Sequence, residues 1–173
     1  MSDERWFGIL GGARAGTRPG FAVIRPGLLV GEYPTPADAA WLRAEHGVTA
    51  VLSLQDDADL ASKGVVLARL ETAYRRHGIQ FHRIPVPDGC DLDLRARLDE
   101  ITALLHRLVA AGERVYLHCN AGFNRAPTAA IAYLHACEGL SLAAARDLMK
   151  AHRPCVPYMR ALEAHFGLRE HGS

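Results

Sequence analysis

The chain has 173 residues, enough to enclose one hydrophobic core and too few for two ordinary domains with a linker. Hydrophobic residues at 49% and charged residues at 23% exclude a disordered or collagen-like chain. Twenty Lys and Arg against nineteen Asp and Glu leave a formal charge of +1, so nothing draws the whole molecule to nucleic acid or to a membrane surface, and any anion site must be local. Two acids precede the first apolar residues, which argues against a secretory signal. Cys90, Cys119, Cys137 and Cys155 lack the CxxC spacing of zinc or redox pairs. These features predict reduced thiols, a cytoplasmic setting, and no metal or cofactor.

Residues 1–20 are rich in Gly, Arg and Pro without periodicity, which predicts a loose N-terminal segment ahead of one domain over 21–170. Two short apolar runs on either side of Arg25-Pro26-Gly27 predict a hairpin. Thr35, Pro36 and Asp38 supply a cap, a first helical position and a capping box, and Gly47 supplies the stop. Residues 48–54 read as a buried strand, 55–62 as an acidic polar loop, 65–77 as a helix and 79–86 as a second strand. Leu94, Leu98, Ile101, Leu105 and Leu108 recur at helical spacing over 93–111, with Asp93 as the expected cap. Residues 115–117 form a short strand, the Ala-rich run to Cys137 a helix, Ser141 caps another that breaks at Arg153-Pro154, and a last helix covers 158–166. Strands alternating with helices predict an α/β fold, a mainly parallel central sheet flanked by helices, with ligands beyond the carboxyl ends of the strands.

That rule directs attention to the segment after Leu117. It reads His118-Cys119-Asn120-Ala121-Gly122-Phe123-Asn124-Arg125, a cysteine at a strand end and an arginine where a helix begins. A loop curling from strand into helix turns successive N–H groups inward, and the helix dipole adds to them, which suits a tetrahedral oxyanion. Gly122 permits the curl. Residues Asn120, Ala121, Gly122, Phe123, Asn124 and Arg125 are thus the expected phosphate-binding loop, and Arg125 brings a planar fork for two phosphate oxygens. The same field favours thiolate over thiol at Cys119, the expected nucleophile. Ester cleavage also needs a proton for the departing oxygen. Asp88 lies in a Pro- and Gly-containing loop after the strand over 79–86, 31 residues before Cys119; one helix returns the chain to the neighbouring strand, so both emerge at one sheet edge. Asp91 and Asp93 compete less well, because they lead at once into the helix.

His118-Cys119-x-x-Gly122-x-x-Arg125 resembles the signature of the cysteine-dependent tyrosine and dual-specificity phosphatases. The resemblance runs through the Asp88 loop and through Arg153-Pro154 to Phe166, over roughly residues 28 to 166. Within that family the Cys-Asn-Ala-Gly loop, Arg125-Ala126-Pro127 and the run from Val51 to Leu60 look most like the glucan phosphatases, laforin and the plant starch-phosphate enzymes. The resemblance implies a single-domain dual-specificity-phosphatase fold, and catalysis by Cys119, Arg125 and Asp88 through a phosphocysteine. It also implies a phosphorylated protein or carbohydrate as substrate and inorganic phosphate as product. Two positions depart from the pattern. Ala126 lacks the hydroxyl that most members carry after the arginine to help the thiolate leave, and Asn124 stands where the glucan-type loop has Gly.

His118 is expected to support the loop and not to act as a base. Arg153 is either a second anion contact or a solvated helix end. Tyr33, Phe123 and Tyr158 are expected to pack, and Cys90 is a candidate partner for a reversible disulfide with Cys119. An inositol- or lipid-phosphate phosphatase, or a phospho-binding module with weak turnover, are the alternatives. The sequence carries no signal of oligomeric state.

Overall fold

The computed structural model describes residues 17–167. Residues 1–16 of the expected N-terminal segment, and the expected domain end at 170, lie outside them. In chain order the elements are β1 (Phe21–Arg25), β2 (Leu28–Gly31), α1 (Ala39–His46), β3 (Ala50–Ser53), α2 (Asp57–Ser62), α3 (Leu67–Arg76), β4 (Gln80–Arg83), α4 (Asp91–Ala110), β5 (Val115–His118), α5 (Arg125–Glu138), α6 (Leu142–His152) and α7 (Met159–Phe166).

The five strands form one sheet in the order β1-β2-β5-β3-β4. Only β1 runs antiparallel, paired with β2 through the expected hairpin. The remaining pairs are parallel. Their register sets Gly31 and Ser53 on either side of His118, with Arg83 beside Ser53, so four carboxyl ends share one edge.

Alternation along the strands divides the core into two layers. Leu28, Val30, Ala50, Leu52, Val115 and Leu117 face α4, α5 and α6, where Leu94, Leu98, Ile101, Ile131 and Met149 meet them. Leu29, Val51 and Tyr116 face the other way, onto Leu42 of α1 and Leu70 and Tyr74 of α3. Covered on both faces, the three central strands β2, β3 and β5 read as nearly continuous apolar runs.

The segment over 55–62, expected as a loop, contains α2. Asp56 is its N-cap: Asp56 Oδ1 accepts from the Asp59 amide at 2.8 Å while Asp59 Oδ2 accepts from the Asp56 amide at 2.9 Å. The acidic charge points to solvent, but Asp-x-x-Asp is a reciprocal cap whose carboxylates satisfy the first N–H groups of a helix. Asp93 is not the cap of α4. That helix begins two residues earlier, after Cys90, and Asp91 and Asp93 both lie in its first turn, where the dipole favours them. The helix expected after Thr35 starts as a three-residue 3-10 turn, Pro36–Asp38, before α1, and Asp38 accepts from both the amide and the hydroxyl of Thr35.

Candidate active site

Strand β5 delivers His118 and Cys119 to the sheet edge, and the chain then curls through Asn124 into α5. The carbonyls of this curl are engaged from outside. His118 Nδ1 lies 2.9 Å from Cys119 O, the Tyr33 amide 2.9 Å from Asn120 O, and the Val156 amide 2.9 Å from Phe123 O. Arg153 Nη2 donates to Ala121 O at 2.8 Å and Arg153 Nε to Gly122 O at 2.9 Å. Asn124 O accepts from the amide and hydroxyl of Thr128. A trans peptide points its C=O and N–H in opposite directions, so carbonyls turned out leave the amides after them turned in, over Cys119. Gly122 makes the curl possible: its φ is +62°, and a Cβ there would lie 2.5 Å from the carbonyl carbon of Gly31 in β2.

Arg125 is almost wholly enclosed, at 1% exposure. Its Nη1 is anchored by Asp59 Oδ2 at 2.6 Å and Val86 O at 2.7 Å. Among the described residues its Nε makes no hydrogen bond, and it lies 3.2 Å from Asp88 Oδ1. Burial works against the guanidinium charge, but Asp59, then Cys119 and Asp88, more than offset it and hold the group above its ordinary range. Burial likewise raises Asp59, but hydrogen bonds from Arg125, the Asp56 amide and Asn120 outweigh it, so that carboxyl lies below its ordinary 3.8.

Asp59 is the site residue that the sequence expectations missed. Its Oδ1 also accepts from Asn120 Nδ2 at 2.6 Å, and Asn120 Oδ1 in turn accepts from Gln55 Nε2 at 2.7 Å. Asn120 thus contributes its side chain to the support of Arg125, beyond its amide. The available signal was the Asp56-x-x-Asp59 cap followed by Leu60: a helix start there brings one carboxylate to the edge shared with Cys119.

Asp88 arrives where expected. The Val86 amide continues the sheet ladder by donating to Leu54 O at 3.0 Å, so the next two residues reach the mouth of the curl. The Asp88 side chain is 55% exposed, whereas Cys119 is buried at 3%. His118 is fully buried, and burial carries its pKa down to about 4. It is neutral, with Nδ1–H donating to the Cys119 carbonyl, which fits support and not base chemistry.

Arg153 is more than a solvated helix end, because its Nε and Nη2 donate to two carbonyls of the loop. Asn124 donates through Nδ2 to Val156 O at 2.7 Å, a contact that Gly could not make. Phe123 is nearly buried. Tyr158 packs as expected against the core; burial first, then Asp88, raise its hydroxyl pKa against the opposing charge of Arg125. Cys90, Cys119, Cys137 and Cys155 are all free thiols. Among the described residues no group of three or more His, Cys, Asp and Glu is placed to hold a metal ion.

Residues 29–166 match the family described as dual specificity phosphatase, catalytic domain. The chain belongs to that family. Relatives of this dual-specificity phosphatase domain include the phosphoglucan phosphatase DSP4 of Castanea sativa, 35% identical over 144 residues, covering 82% of this chain and 38% of that protein. Mouse laforin is 28% identical over 147 residues, covering 79% of this chain and 44% of laforin. Mouse dual specificity protein phosphatase 12 is 28% identical over 132 residues, covering 76% of this chain and 35% of that protein. The chain therefore spans less than half the length of these relatives. Among solved structures, Tk-PTP in its active form has a TM-score of 0.73 at 22% identity, covering 86% of this chain and 97% of that one. The fold is the expected one.

Proposed function

We propose that the chain is a cysteine-dependent phosphomonoester hydrolase that works in two steps. The observation that supports this is a buried Cys119 at the start of a loop whose carbonyls are engaged by their neighbours, with Arg125 anchored by Asp59 and Val86 and a half-exposed Asp88 at 3.2 Å from its Nε. The Cys119 thiolate attacks phosphorus in line; the loop amides of residues 120–125 and the Nε edge of Arg125 hold the equatorial oxygens. As the S–P bond forms and the ester P–O bond breaks, Asp88 gives its proton to the departing oxygen. Water then attacks the phosphocysteine, Asp88 takes its proton, the S–P bond breaks, and inorganic phosphate leaves. Charge is neutralised by Arg125 and the amides, so no step calls for a metal ion.

The family supplies phosphoprotein and phosphoglucan as the substrate classes. Phosphoglucan is supported by the names of two relatives, DSP4 and laforin, and phosphoprotein by dual specificity protein phosphatase 12. A second reading, a phospho-binding module with slow turnover, draws on one observation: Ala126, buried behind the loop, brings no hydroxyl to help the thiolate leave. The chain keeps Cys119, Arg125 and Asp88, with Asp88 Oδ1 at 3.2 Å from Arg125 Nε, which supports the enzyme reading. A cytoplasmic, reducing setting belongs to the same proposal, because the chemistry needs Cys119 as a free thiol.

Phosphate release from an aryl phosphate, measured with EDTA present, tests the proposal. Wild type is expected to turn over and Cys119→Ser to be inactive. Activity lost to the chelator, or kept in Cys119→Ser, would overturn it. Tight phosphate binding by wild type without release would establish the binding module. A panel of phosphopeptides and phosphoglucans then separates the substrate classes.

A further inference from the structure

The cradle's electrostatics depend on peptide planes that glycine leaves free to rotate. Gly122, at φ +62°, sits at the centre of the curl, and the peptides on either side of it, Ala121–Gly122 and Gly122–Phe123, have the least steric restraint on flipping. A flipped plane would aim a carbonyl oxygen at the anion and take an N–H away. Elsewhere in the curl the carbonyls are held by a backbone amide, by the chain's own next turn, or by a histidine wedged in the core: Asn120 O by Tyr33, Phe123 O by Val156, Asn124 O by Thr128 and Cys119 O by His118. At Ala121 O and Gly122 O the donors are the Nη2 and Nε of one side chain, Arg153.

Arg153 is itself fixed in place. It follows the last turn of α6, where its amide donates to Met149 O at 3.0 Å. The next residues run alongside the curl, with the Val156 amide on Phe123 O and Val156 O accepting from Asn124 Nδ2 at 2.7 Å. The Tyr158 amide then donates to Thr128 Oγ1 at 2.8 Å, in the first turn of α5. Residues 153–158 thus form an outer strip stitched to the outside of the cradle from its middle to its helical end. A guanidinium suits the task at the strip's head, because its two parallel N–H groups match two successive carbonyls in one plane, as an ammonium does not.

We propose that Arg153 is a positioning residue for the oxyanion cradle. By clamping Ala121 O and Gly122 O it fixes the inward direction of the Gly122 and Phe123 amides, and it touches no part of the substrate. The proposal rests on the cradle being an oxyanion site, as in the function above, but not on turnover. Its test therefore reads binding and catalysis separately.

Inorganic phosphate binding is measured by calorimetry in the Cys119→Ser background, with and without Arg153→Met or Arg153→Lys, at low salt and at about 0.5 M salt, where the Debye length is only a few ångström. Urea midpoints run alongside. Loss of two oriented donors is expected to weaken phosphate binding about 10-fold in Arg153→Met, by the same ratio at both salt levels, and, in the chain with Cys119 intact, to lower kcat on an aryl phosphate more than it raises KM. Arg153→Lys keeps the charge but not the fork and is expected to recover less than half of the loss in binding free energy. Should Arg153→Met fail to fold, Arg153→Lys alone decides by the same measurements. Phosphate affinity within about twofold of the parent in the folded variants would overturn the proposal. So would full rescue by lysine, or a defect that vanishes at high salt, because either would make Arg153 a distant charge acting on the anion. If wild type proves to have no phosphatase activity while Arg153→Met still loses phosphate, the function fails and the positioning role stands.

Discussion

Two carboxylates share Arg125 and do different work. Asp59 is buried and holds Nη1 through Oδ2 at 2.6 Å and Nη2 through Oδ1 at 3.4 Å, whereas Asp88 is half exposed and rests against Nε, the edge a phosphate oxygen needs. Asp59→Asn removes the charge that balances a buried guanidinium. Breaking such a pair costs about 3–5 kcal/mol, and the freed fork is expected to lower kcat/KM at least about 10-fold, in line with lost oxyanion donors. Urea unfolding and steady-state kinetics of one preparation check both numbers. Asp88→Asn acts in the opposite way on binding. It is expected to lower kcat by about 10²–10³, as for loss of a general acid, yet to bind inorganic phosphate more tightly than wild type, since it removes a negative charge beside the fork. Weaker phosphate binding in Asp88→Asn would show that the carboxylate does not compete for that edge. Ala126→Ser supplies the missing hydroxyl: if thiolate departure limits turnover, the pre-steady-state burst shrinks and kcat rises severalfold.

At the scale of elements, the site depends on how tightly strand β2 and the curl are pressed together. Gly122→Ala would set a Cβ 2.5 Å from the Gly31 backbone while also straining φ, and neither neighbour is a flexible side-chain end. The expected result is a loss of stability of more than about 1 kcal/mol together with loss of phosphate binding, read by thermal melting and calorimetry. The strand-to-helix turn at Cys119 was legible because Gly122, Arg125 and the apolar run before His118 each state a local rule. The same holds for the hairpin at Pro26-Gly27, the caps at Thr35 and Ser141, and the long stripe of α4. Helix α2 was not legible from hydrophobicity, since its apolar content is little more than Leu60. What creates it is a pair of aspartates capping each other, and a count of charges hides that. The two loop contacts of Arg153 are hidden for a related reason. Sequence shows a cation at a helix end before Pro154, but not that α6 returns the chain along the outside of the cradle, which is a matter of tertiary packing.

Across the whole molecule, two buried groups tie stability to pH with the same sign. His118 has its folded pKa carried down to about 4 from an ordinary 6.5, so the unfolded chain binds the extra proton between those values. Its contribution is complete above pH 6.5 and is lost as pH falls toward 4. Asp59, lowered below its ordinary 3.8, adds stability that is present above that value and is lost as pH falls through its folded pKa. Stability is therefore expected to rise from acid toward neutrality, with His118→Gln flattening the slope between pH 4 and 6.5 and leaving the more acidic part to Asp59. Urea midpoints taken across that range test the signs. The proposed reaction runs through one sulfur, and the most direct measurement is rapid acid quench of an aryl phosphate reaction followed by peptide mass mapping. A phosphoryl group covalently held on the Cys119 peptide, formed and consumed at rates that match turnover, is the predicted result. Steady release of phosphate with that peptide never modified would contradict it.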